Sequence, residues 1–301
     1  MIAPFLAVDW GTTRVRAWRV AADGSVEANE IFPLGVSRLA PGEAAARFAD
    51  TIRPALGAQD LPAILCGMIG SNLGWTPVRY LDCPVDLAAL AQALHPAPGD
   101  PSAMIVPGLR GPGVAGAPDV MRGEETQVLG WLAGDPARRA GEHRLCLPGT
   151  HAKWVRVQDG RVVRFLTAMT GEVYDLLARQ SVLRSDAPAD DAGAFLAGVD
   201  AAGDGGGLLS RLFSVRARVV GADAPAAETP SFLSGLLIGA DAAGAAQLLE
   251  TPPDAPVELI GEPGLCRWYE TALARQGRPS RRHDGGAAAL AGLIALQRSR
   301  A

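Results

Sequence analysis

The feature that most restricts the fold of this chain is a series of three strands and a helix that occurs twice. In the first pass FLAV runs to Asp9-Trp10, GTT turns the chain, and VRAWRVA forms a second strand. Asp23-Gly24 is a turn signal, VEANEIF a third strand, and GEAAARFADTIRPAL a helix bent near Pro54. LPAILCGMIGSN then reads as a buried strand that opens into a glycine-rich loop. In the second pass HRLCL, the turn PGT, KWVRV, the turn Gln158-Asp159-Gly160 and RVVRFLTAM repeat the order, and Thr170-Gly171-Glu172 enters the helix EVYDLLARQSVL. The residues have diverged, so the duplication lies in the order of elements.

Between the passes lie the strand SAMIVPGL and the helix MRGEETQVLGWLAG. After the second come a helix at about 230–249, the strand VELIG, a helix from Arg267 to Gln276 and a last helix at about 285–298. Residues 185–206 and 221–230, rich in Ala, Gly, Asp and Pro, read as loops. Strands alternating with helices imply an α/β protein with mixed sheets, and 301 residues suffice for two domains.

Composition narrows the function classes. A net charge of −4 argues against a nucleic-acid surface built on bulk electrostatics. The four cysteines form no CxxC pair and read as reduced core thiols, and the four histidines lack metal-ligand spacing. MIAPFLAVDW has no basic leader and is not expected to be a signal peptide. The most apolar stretch, FLSGLLIGADAAGAAQLL, is interrupted by Asp241, so no membrane span is expected and the reading is a cytoplasmic protein.

Gly111-Pro112-Gly113-Val114-Ala115-Gly116 matches GxGxxG, but Pro118 and Asp119 follow at once and no helix opens there, which excludes a dinucleotide fingerprint. DWGTTRVR is more informative. A carboxylate at a strand end, then glycine and two hydroxyls, can set backbone N–H groups and Thr12 and Thr13 against phosphate oxygens, with Asp9 beside a hydrated magnesium ion. PGTH repeats the glycine-threonine turn, and two such hairpins are suited to clamping a polyphosphate. Directly after it stands Lys153, the one lysine among 28 basic residues. It shares a strand face with Val155 and Val157, an unlikely place for an idle surface charge. A compact ammonium there can serve a transferring phosphoryl group or a substrate carboxylate.

Taken together, DWGTTRVRAW, GMIGSNLGW, MRGEETQVLG, LPGTHAKWV, MTGE and FLSGLLIGAD resemble the 2-dehydro-3-deoxygalactonokinase family of the actin–hexokinase–Hsp70 superfamily. The resemblance implies two ribonuclease-H-like (actin-like ATPase) domains with a duplicated βββα core and an active-site cleft between them. Domain one, 1–140, would hold the first phosphate loop and the sugar acid; domain two, 141–301, the second phosphate loop and the adenosine. It also implies transfer of the γ-phosphoryl of ATP, with Mg2+, to the 6-hydroxyl of 2-dehydro-3-deoxy-D-galactonate in galactonate breakdown. The gluco epimer stays open as substrate, as do a phosphoanhydride phosphatase, a non-catalytic ATP-binding module and a homodimer. The implied phosphate and ATP residues are Gly11, Thr12, Thr13 and Arg16, then Gly149, Thr150, His151, Lys153 and Gly171, with Gly261 and Gly264 toward the adenosine and Asp9 toward the metal. Glu124 is the implied base, with Glu125 as its competitor. Gly70, Ser71, Asn72 and Trp75 would meet the sugar acid, and Arg122 or Arg16 its carboxylate.

Overall fold

A computed structural model describes residues 2–300, which divide into two compact units. The first unit holds the chain as far as Glu142, Val157–Phe165, and the stretch from Asp284 onward. It opens with β1 (Phe5–Trp10), β2 (Val15–Val20) and β3 (Val26–Phe32). A helical run follows as α1 (Glu43–Arg47), one wide turn at Phe48–Ile52 and α2 (Arg53–Ala55). Then come β4 (Ala63–Gly67), β5 (Leu81–Asp82), α3 (Leu87–Gln92), β6 (His95–Ala97) and β7 (Asp100–Ile105). β8 (Leu109–Pro112), β9 (Pro118–Met121) and α4 (Glu124–Ala133) complete the run.

One sheet has the order β3-β2-β1-β4-β7-β6. β1, β2 and β3 form an antiparallel meander, β4 lies parallel to β1 and β7 parallel to β4. β1 and β4 are central and read as nearly unbroken apolar runs, as strands covered on both faces must. On one face Val8, Trp10, Leu65 and Ile105 pack against Phe48 and Ile52. The excluded GxGxxG stretch bends from β8 into antiparallel β9, in a small sheet of order β5-β8-β9.

The second unit holds His143–Arg156 and Leu166–His283. A second sheet is built from β10 (Glu142–Leu147), β11 (Ala152–Gln158), β12 (Arg161–Ala168), β13 (Val257–Gly261) and β14 (Ser280–Asp284), with Arg161–Phe165 of β12 counted in the first unit. The order β12-β11-β10-β13-β14 repeats the order of the first five strands of the large sheet, which bears out the duplicated core. Its helices are α5 (Thr170–Gln180), α6 (Ala192–Ala201), α7 (Gly207–Val220), α8 (Thr229–Leu248) and α9 (Pro263–Arg275). The last helix, α10 (Gly285–Arg300), returns to the first unit and packs on α4, α3 and β1. A single boundary near residue 140 therefore describes the first crossing only: the apolar flank of α10 is completed by α4, not by the elements next to it in sequence.

Residues 192–201, expected as loop, form α6. Asp191 caps it by accepting from the Ala194 N–H (2.9 Å), and its small residues serve close packing on α8. A Cβ on Gly235 would lie 1.9 Å from the Phe195 carbonyl oxygen, and one on Gly198 would lie 2.1 Å from that of Phe232. Gly130 and Gly292 play the same part where α4 crosses α10. α8 is long and apolar enough for a membrane span by composition, but 61% of its most apolar stretch is buried inside the protein.

Gly235→Ala should lower stability by about 1–3 kcal/mol in a urea melt, because two helix backbones must separate. Gly244→Ala on the same helix meets nothing within 4 Å and should add about 1 kcal/mol. Equal effects at the two positions would refute this account of the α6–α8 contact.

Candidate active site

In the first unit the GTT turn is a tight hairpin, closed by the Gly11 N–H donating to the Arg14 carbonyl (2.9 Å). It is held from behind. Val36 N–H donates to the Gly11 carbonyl (3.1 Å), and Ser37 donates to the Thr12 carbonyl from N–H (3.0 Å) and Oγ (2.7 Å). The side chains of Thr12 and Thr13 are left exposed. Asp9, at the end of β1, accepts Nε of Arg16 (3.1 Å) and also its Nη2. Arg16 also feels Asp284, whose Oδ1 accepts the Ala287 N–H (2.7 Å) at the start of α10. Burial opposes the charged guanidinium, yet the two carboxylates leave its pKa raised.

The GEE stretch lies beside this pair because two glycines let three elements meet. Gly67, ending β4, has φ +89°, and a Cβ there would lie 2.6 Å from the Trp10 carbonyl oxygen and 3.3 Å from Asp9 Oδ1. Gly123 has φ +111°, and its Cβ would lie 3.2 Å from the Gly67 Cα. Only glycine adopts such angles at little cost. The two glutamates differ sharply. Glu125 is fully buried, accepting the Gly123 N–H (2.6 Å) and the Thr126 hydroxyl (3.0 Å). Glu124 is half-buried and accepts the Arg122 N–H (3.1 Å). Burial first, then the charge of Glu124, pushes the Glu125 carboxyl up to about 8. Cys66, buried next to Asp9 and Glu125, has its thiol pushed well up by the same burial.

The GMIGSNLGW loop is largely occupied with its own structure. The Ser71 hydroxyl donates to the Met68 carbonyl (2.7 Å). The Trp75 indole donates to the Pro98 carbonyl (3.1 Å), and its ring lies 5.5 Å from that of Phe48. Asn72 is exposed. The Arg122 guanidinium stacks over the Tyr80 ring (4.4 Å), donates to the Val78 carbonyl (2.7 Å), and runs past Gly70, where a Cβ would be 2.7 Å from Nη1.

In the second unit the PGTH turn is fastened to α5. A Cβ on Gly171 would lie 2.5 Å from the Gly149 carbonyl oxygen, and the Glu172 N–H donates to the Thr150 carbonyl (3.0 Å). His151 pairs with Glu172 across the same contact. Lys153 is 6% exposed, and its Nζ donates to the Thr167 hydroxyl on β12 (2.8 Å). The lone lysine is thus a buried cation one residue pair beyond the turn. Gly261 ends β13 beside Pro148, where a Cβ would lie 3.4 Å from the Pro148 carbonyl oxygen. Gly264 lies in the first turn of α9, which Glu262 caps by accepting the Leu265 N–H (2.8 Å).

Between turn and helix lies a cavity of about 180 Å3, lined among others by Gly149, Gly171, Tyr174, Trp268 and Tyr269. The three aromatic residues were not among the sequence candidates; the WYE run on α9 was the available signal. No group of three or more His, Cys, Asp or Glu residues poised for a metal occurs among the described residues. Asp9 is the carboxylate nearest the first hairpin, and its Oδ2 is held by Arg16.

Two sheets of the same strand order, each with a glycine-threonine hairpin after its first strand, define an actin-like ATPase fold. The family model for 2-keto-3-deoxy-galactonokinase matches residues 9–296. The chain is 38% identical to "Probable 2-dehydro-3-deoxygalactonokinase DgoK1" of Rhizobium meliloti, covering 98% of this chain and 97% of that one. It is 35% identical to the 2-dehydro-3-deoxygalactonokinase of Escherichia coli over 72% of each chain. A crystal structure of a Sinorhizobium meliloti protein assigned to the same activity superposes with a TM-score of 0.87 at 38% identity, over 98% of this chain and 99% of that one. The chain belongs to the 2-keto-3-deoxy-galactonokinase family and is a kinase.

The Glu125 carboxyl carries a pH-dependent cost. Its folded pKa of about 8 lies above the ~4.3 of a free glutamate, so its contribution to stability is full below about pH 4 and is lost as pH rises through about 8. Glu125→Gln should therefore gain on the wild type between about pH 5 and 8 in urea melts. Parallel stability curves for the two proteins would refute the burial argument.

Proposed function

We propose that the chain phosphorylates the 6-hydroxyl of 2-dehydro-3-deoxy-D-galactonate with ATP, as a cytoplasmic step of galactonate breakdown. The observation that carries this reading is the half-buried Glu124 at the start of α4, directly after Gly123 where that residue packs on Gly67 beside Asp9. A base must reach the hydroxyl whose proton it takes. Glu124 has that access, whereas both oxygens of Glu125 are enclosed and bonded. Glu124 takes the proton as the 6-oxygen attacks the γ-phosphorus, and Glu125 holds the Gly123 N–H and with it the turn into α4.

The first unit binds the sugar acid, with Asn72 and the loop around Gly70 and Ser71 as its polar partners. Trp75 braces that loop through Phe48. Arg16 is drawn to Asp9 and Arg122 to Val78 and Tyr80, and either guanidinium can be offered to the substrate carboxylate. Gly11, Thr12 and Thr13 supply one set of phosphate donors, and Gly149, Thr150 and His151 the other. Asp9 would hold Mg2+, which would supply neutralisation of the phosphate charge. The cavity beside Trp268 takes the adenosine, with Gly261 and Gly264 on its approach. Lys153 is the fixed positive charge beside the transferring phosphoryl group, held in place by Thr167.

A coupled ADP-release screen tests the reaction. Activity is expected with 3-deoxy-2-keto hexonates, strongest with the galacto epimer; turnover of glycerol with none of the keto acids would overturn the substrate assignment. Glu124→Gln should lose about 10²–10⁴-fold in kcat while still binding ATP. If Glu125→Gln is the inactive variant and Glu124→Gln is not, the base is reassigned. Lys153→Arg keeps the charge but not the compact shape, and should lose at least about tenfold in kcat. Full activity in that variant would remove Lys153 from the mechanism.

A further inference from the structure

One ionisable group in the second unit is used by none of the steps above. Asp241, in the middle of α8, is a half-buried carboxylate with three donors. The Trp154 indole donates to Oδ1 (2.8 Å), and the Thr170 hydroxyl and the Tyr269 phenol both donate to Oδ2 (2.8 Å each). Burial raises the Asp241 pKa although all three bonds pull it down, so the carboxylate is kept at a cost to the fold.

The three donors come from three elements around one place. Trp154 is on β11, the strand that leaves the PGTH turn. Thr170 opens α5, and Gly171 beside it touches the Gly149 carbonyl. Tyr269 is on α9 and, like Thr170 and Gly171, lines the 180 Å3 cavity. We propose that Asp241 is a positioning residue for the nucleotide: its carboxylate locks the start of α5 and the Tyr269 ring against the second phosphate turn. The proposal rests on the reading of that cavity as the adenosine subsite.

Two features make the lock consequential. A second cavity of about 470 Å3, lined by Asp241, shares Thr170 and Leu237 with the first. Without Asp241 the start of α5 has room to retreat into it, away from Gly149. Trp154 has an indole N–H that can only donate, so truncation leaves a buried donor unpaired. The two hydroxyls share one oxygen, so their contributions are coupled.

The test compares Asp241→Ala, Asp241→Asn, Thr170→Val, Tyr269→Phe and the last two combined, all in the full chain. Steady-state KM for ATP and for the sugar acid is read alongside nucleotide binding by calorimetry. Asp241→Ala should raise the KM and Kd for ATP by about tenfold or more and leave the KM for the sugar acid within about twofold. Asp241→Asn should stay within about threefold, because its amide can accept from Trp154 and donate to both hydroxyls. Each hydroxyl variant should weaken ATP by a few-fold, and the pair by less than the product of the two. Folded variants with unchanged ATP affinity overturn the inference, as does an equal rise in both KM values, which marks general loosening. If Asp241→Ala fails to fold, the hydroxyl variants decide the matter by the same criteria. A wild type that binds no nucleotide overturns the reading beneath the proposal; a wild type that binds it, with indifferent variants, overturns the proposal alone.

Discussion

The meeting of β1, β4 and α4 at Gly67 and Gly123 is the contact on which the first unit's chemistry depends. With a Cβ on Gly67 only 2.6 Å from the Trp10 carbonyl oxygen, no other residue fits without moving backbone. Hydrogen bonding alone would not bring the start of a helix this close to the end of a strand. The absence of two side chains does so, and it places Asp9, Glu124 and Glu125 in one neighbourhood. Arg16 answers Asp9, and the backbone N–H groups of Arg122 and Gly123 answer Glu124 and Glu125. The second unit repeats the device, with Gly171 set against Gly149.

Both units also keep a carboxylate where a hydrocarbon would be cheaper. Glu125 and Asp241 are each desolvated, and each is surrounded by short-range donors. A buried carboxyl group is tolerated when its hydrogen bonds are complete, and the price is repaid in fixed geometry. Each sits next to a turn that must hold its shape: Glu125 next to Gly123, and Asp241 next to Thr170-Gly171. Lys153 obeys the same rule, enclosed and bonded to Thr167.

Legibility in the sequence followed range. The two βββα passes could be read because each turn and each alternation is local, and the two sheets share one strand order. The rejection of the glycine-rich match at 111–116 was equally local, and it is a hairpin. The helix at 192–201 could not be read from composition, since alanine and glycine there look like a loop. Their meaning lies on α8, more than thirty residues away, where Gly235 and Gly239 receive them. The Asp191 cap was the one local sign. The contact of the Trp75 ring with Phe48 was likewise not legible, because Phe48 lies on a distant helical turn.

The sequence by itself determined the element order, the two glycine-threonine turns, the unusual lysine and the family, because these are properties of neighbours along the chain. The tertiary structure alone decided which glutamate has access, that α10 joins the first unit, and that Asp241 ties three elements together. Those outcomes depend on burial and on contacts between distant residues, and burial is set by the packed whole rather than by any segment of it.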